Sequence, residues 1–110
     1  METKSFETAR VFNFASEVNY ADNAVVSKTI IKNESGTVTL FAFDKGEGLS
    51  EHTAPFDAMV TILDGEAEII IGGKSFFLIA DNTIIMPAGI SHALKATEAF
   101  KMLLVMVKAR

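Results

Sequence analysis

Turn signals punctuate this chain at short, nearly regular intervals, and that rhythm limits its fold more than any other feature. "KNESG", "DKGEG", "LDGE", "IGGK", "ADN", "PAG" and "KATEA" follow one another from residue 32 onward. Between them lie strand-sized runs rich in Val, Ile, Phe and Thr, such as "TVTLFAF", "MVTIL", "AEIII", "SFFLI" and "FKMLLVMV". Strands of this size with turns every eight to twelve residues or so belong to all-β sandwiches and barrels. No stretch sustains a helical period. The one candidate helical turn is "ASEVN", where Ser16 is placed to cap it.

"GEAEIIIGGKSFFLIA" is the clearest local element. Gly72-Gly73 suits a two-residue hairpin turn, which needs positive φ at both central residues. Its arms are apolar on both faces, so one face is expected to meet the barrel interior and the other a second subunit. A homodimer follows as the preferred expectation, with a covering loop or N-terminal segment as the monomeric alternative. Residues 1–22 carry Phe6, Val11, Phe12, Phe14, Val18 and Tyr20. They are too apolar for a disordered tail and are expected to pack on the barrel or exchange in a dimer; residues 23–110 form the single barrel domain.

Composition removes several function classes. With 110 residues there is room for one core. No cysteine is present, which excludes disulfides, thiolate catalysis and thiolate metal sites. A net charge of −4 with scattered Lys and Arg argues against nucleic acid, and no apolar run is long enough for a membrane helix. The charged start "METKSFETAR" lacks a signal core, so a cytoplasmic location is expected.

Two segments carry chemistry. Gly46 is followed by His52, Ala54, Ala58 and Gly65; Asp81 is followed by Pro87, Gly89, His92 and Ala96. This pattern resembles the paired motifs of the cupin family: Gly, five residues, His-x-His, three or four residues, Glu, six residues, Gly; then Gly, five residues, Pro-x-Gly, two residues, His, three residues, Asn. Ala54 and Ala58 stand at the second His and the Glu positions, Asp81 at the opening Gly and Ala96 at the Asn. The only two histidines of the chain both fall on ligand positions of the family. The resemblance implies a small cupin barrel of the double-stranded β-helix, or jelly-roll, type with a depleted metal set.

Residues two apart in a strand share a face, so His52, Ala54, Phe56, Ala58, Val60 and Ile62 are expected to point inward, while Glu51 and Asp57 point outward unless a bulge near Pro55 shifts the register. Candidate ligand contacts are His52, His92, Phe56 and Val60; His52 and His92 are also the candidate, incomplete metal ligands. Two neutral imidazoles without a carboxylate hold a divalent Fe, Mn, Ni or Zn ion only weakly. The methionines at 59, 86, 102 and 106 suit gap-filling in a core or an adaptable cavity wall. Tyr20, the only tyrosine, is an acid in principle but lies outside both motifs.

Three functions compete. The preferred one is a small-molecule-binding cupin whose ligand is oriented by two histidines in an apolar pocket. A metal-dependent cupin enzyme, a dioxygenase or isomerase with a reduced ligand set, is the alternative. A ligand-free structural dimer is the third.

Overall fold

The computed structural model describes residues 6–109; the ends of the N-terminal segment and of the barrel domain, residues 1–5 and 110, lie outside them. Eight strands follow a short 3₁₀ turn, Phe14–Ser16: β1 Val25–Asn33, β2 Gly36–Phe43, β3 Gly48–His52, β4 Phe56–Ile71, β5 Lys74–Ile79, β6 Thr83–Met86, β7 His92–Lys95 and β8 Phe100–Lys108. All pairings are antiparallel, in the order β1-β2-β8-β4-β7-β3, with β5 and β6 also paired to β4. The all-β expectation is met, and the curled sheet is a jelly-roll barrel.

The sixteen-residue β4 is the spine. Its first half pairs with β6 and β8, and its second half with β5 and β7. The change of partners follows a register shift between Ile62 and Asp64. Just past that shift Gly65 has φ +81, and a Cβ there would meet the Ala99 carbonyl oxygen at 1.9 Å. Only glycine permits the corner at which β4 passes from one layer to the other.

Gly72 and Gly73 form the hairpin turn expected, with φ of 55° and 83° between the register partners Ile71 and Lys74. Ser16, by contrast, ends the 3₁₀ turn; the residue at its start is Asn13, and no side chain caps it. Pro55 lies between β3 and β4, beside the register shift of the terminal strand β3.

Two apolar clusters hold the sheet in shape. Inside, Phe43 stacks on its register partner Phe100 with ring centroids 4.5 Å apart, and Val60, Ile62, Ile69, Leu94 and Met102 pack around them. Outside, Val18 is buried against Leu40 and Ala42, with Phe14, Ile30 and Leu103 at the margin. The N-terminal segment thus covers part of the outer face of β2. Glu17 is held by Arg10 and Lys28 at 3.2 and 3.1 Å, and Tyr20 donates a hydrogen bond to the Asp64 carboxylate. Among the described residues no helix is long and apolar enough to cross a membrane.

Candidate functional site

The inward faces of β3, β4, β6, β7 and β8 leave a cavity of about 50 Å³ at the end of the barrel away from the Phe43–Phe100 stack. At about 10–15 Å³ for one water, the closed part has room for roughly three to five water-sized groups. His52, Ala54, Phe56 and Ala58 line it from the β3–β4 segment, as the strand period requires. His92 and Leu94 enter from β7, Met86 from β6, and Met102, Leu104 and Met106 from β8; Leu49 completes the wall.

His52 and His92 are register partners, and their rings meet edge to face with centroids 4.4 Å apart. His92 is buried at 7% exposure, whereas His52 is exposed at the mouth. Each ring faces the carbonyl two residues before it: His52 Nδ1 lies 2.8 Å from Ser50 O, and His92 Nδ1 lies 3.3 Å from Ile90 O. A carbonyl only accepts, so the proton of each neutral imidazole sits on Nδ1. Nε2 is left on both rings as an acceptor or ligand atom. The remaining wall is aliphatic, aromatic or thioether, so these are the polar groups a ligand would meet.

Val60 takes another place. It is fully buried in the inner core, not on the cavity wall, because β4 continues past the cavity toward the closed end. Phe56 is half-buried and lines the cavity. Asp57 alternates with Phe56 and Ala58 and faces outward, its carboxylate accepting the Ala88 N–H at 3.0 Å. Glu51 is exposed. Among the methionines, Met59 points out of the barrel and is 39% exposed. Leu49, Leu94 and Leu104 line the cavity without standing out in the sequence: Leu94 shares the parity of His92 and Leu104 that of Met102 and Met106, so both are open to the strand-period argument, but the register shift between Leu49 and His52 hides Leu49 from it.

The divalent-metal site implied by the family resemblance does not fit these residues. Among the described residues no group of three or more His, Cys, Asp or Glu side chains could hold an ion. Asp57 would have completed a two-histidine, one-carboxylate set only through a shift that does not occur. Tyr20 is remote from the cavity wall; burial first, and then the Asp64 carboxylate, push its phenol well above the ordinary 10.0.

A family model described as the cupin domain matches residues 39–108. Among solved structures, a conserved protein of unknown function from Streptococcus pyogenes is 43% identical with a TM-score of 0.91, over 97% of this chain and 94% of that one. A cupin 2 conserved barrel domain protein from Leptotrichia buccalis is 44% identical with a TM-score of 0.86, over 88% of this chain; the match spans about half, 47%, of that protein. A cupin superfamily protein from Desulfitobacterium hafniense is 28% identical with a TM-score of 0.88, over 98% of this chain and 99% of the other. No curated protein matches the sequence. The paired motif skeleton, the jelly-roll barrel and these likenesses agree: the chain belongs to the cupin family.

Proposed function

We propose that this cupin binds a small, partly apolar molecule in the barrel cavity and orients it through His52 and His92. The observation that carries the reading is the pair of committed Nδ1 atoms, which leaves two Nε2 acceptors at an otherwise apolar wall. An apolar cavity with a few convergent polar groups is the common form of a small-molecule site. The ligand's polar end is therefore a hydrogen-bond donor, such as a hydroxyl, amide N–H or ammonium group. Its closed-in part is a few heavy atoms, and any remainder lies at the mouth beside exposed His52. A non-haem iron dioxygenase with two histidine ligands takes a carboxylate as its third, and none lines this cavity among the described residues.

Imidazole ¹³C–¹H spectra recorded with small phenols, amides and amines test the reading. Donor-bearing fragments are expected to shift the His52 and His92 signals together. An Ala58→Leu variant, which fills the cavity, is expected to abolish those shifts. Shifts that persist in the plugged variant, or none in the native chain, overturn it.

A further inference from the structure

The emptied corner of the ligand set is bordered by sulfur. Ala58, at the motif's Glu position, has Met106 of β8 as register partner on one side and Met86 of β6 on the other. All three line the cavity that His52 and His92 share. Directly opposed residues of an antiparallel pair keep their Cβ atoms about 4.5–5.5 Å apart. Two long, flexible thioethers thus flank a position reduced to a methyl group, with nothing between them larger than that methyl.

The chemistry of the donors selects the guest. Two imidazole nitrogens and two thioether sulfurs form a neutral set without an anion. A divalent ion would bring two uncompensated charges into an apolar wall, whereas a monovalent ion brings one. Thioethers are soft donors that favour Cu(I), and imidazole accepts copper as well. We propose that the cavity is a Cu(I) site, held by Nε2 of His52 and His92 and by the sulfurs of Met86 and Met106. Gap-filling is the ordinary use of a buried methionine; the placement of two of them on either side of Ala58 distinguishes this pair. The proposal rests on the same cavity and the same free Nε2 atoms as the small-molecule reading, but it fails independently of it.

Anaerobic titration of the full chain with Cu(I), against a colorimetric Cu(I) chelator, tests it together with copper X-ray absorption. One Cu(I) per chain is expected, with both nitrogen and sulfur scatterers. Met86→Leu and Met106→Leu are each expected to weaken Cu(I) binding by about tenfold or more, at least the loss that removal of an outer-shell partner brings, and to leave any Zn(II) binding unchanged. Leu nearly conserves volume, so the barrel is retained. No Cu(I) binding, a nitrogen-only shell, or native affinity in the double Leu variant overturns the proposal. Fragment-induced imidazole shifts, measured without copper, decide the small-molecule reading separately.

Discussion

His52 and His92 face each other across the β3–β7 ladder, with ring centroids 4.4 Å apart and each Nδ1 on the carbonyl two residues before it. Backbone carbonyls thus set both tautomers before any ligand arrives. Nitrogen-15 spectra of the neutral rings are expected to show a pyrrole-like Nδ1 and a pyridine-like Nε2 for both. A pyrrole-like Nε2 in either ring would contradict the arrangement. Stability should separate the two residues as well. His52→Ala at the exposed mouth should stay within about 0.5 kcal/mol of native, and His92→Ala, which empties a buried position, should cost about 1–2 kcal/mol.

Asp81 has φ +75 at the place where the cupin motif has glycine. Aspartate tolerates this left-handed region better than most residues, but glycine adopts it without the Cβ penalty. Relief of that strain, less the extra entropy glycine gives the unfolded chain, should make Asp81→Gly about 0.5 kcal/mol more stable. The corresponding rise in Tm is about 2–4 °C for a chain of this size. Asp81→Val, branched at Cβ, should move Tm the other way. Thermal unfolding of the two variants checks both signs, and a destabilised Gly variant would mean that the Asp81 side chain contributes more than its backbone costs.

Some of this structure follows directly from local chemistry. Gly72-Gly73 reads as a hairpin because paired positive φ angles leave few alternatives. The inward parity of His52, Ala54, Phe56 and Ala58 follows from the two-residue strand period. Parity gives the face of a residue but not its depth along the barrel, which is why Val60 lies in the core rather than on the cavity wall. Parity also fails across irregularities. Leu49 is out of phase with His52 in sequence, yet both line the cavity because the ladder slips between them. The flanking of Ala58 by Met86 and Met106 depends on strands distant in sequence, so no local pattern reveals it.

Glu17 ties the N-terminal segment to β1 through Lys28 and braces the segment internally through Arg10. Hydrogen bonds from Arg10, then from Lys28, hold its carboxyl below the ordinary 4.5. A depressed folded value means the carboxylate's contribution is present above that ordinary value and is lost as pH falls through the folded one. Hydrogen exchange of residues 6–20 should therefore accelerate on acidification below about pH 4.5, the unfolded-state value, relative to the strands. Glu17→Gln should show the faster exchange already at neutral pH. A native segment whose protection is the same at pH 6 and about pH 3 would exclude the clasp.

Tyr20 fastens the same segment from the other end. Its hydroxyl donates to Asp64, Lys101 Nζ lies 5.2 Å from its ring centroid, and Lys101 also donates to the Ala15 carbonyl. At neutral pH, Tyr20→Phe should lose about 1 kcal/mol, the usual net worth of one such bond at a partly exposed site. Burial and the Asp64 carboxylate raise the phenol above its ordinary 10.0, so folding favours the protonated form. That contribution is complete below the unfolded value and is lost as pH rises above it. Denaturant titrations at pH 8 and about pH 11 should show the native advantage over Tyr20→Phe at the first pH and its decline at the second. A gap between native and variant that does not change with pH would mean that the phenol ionises as readily in the folded chain as in the unfolded one, against both its burial and the bond to Asp64.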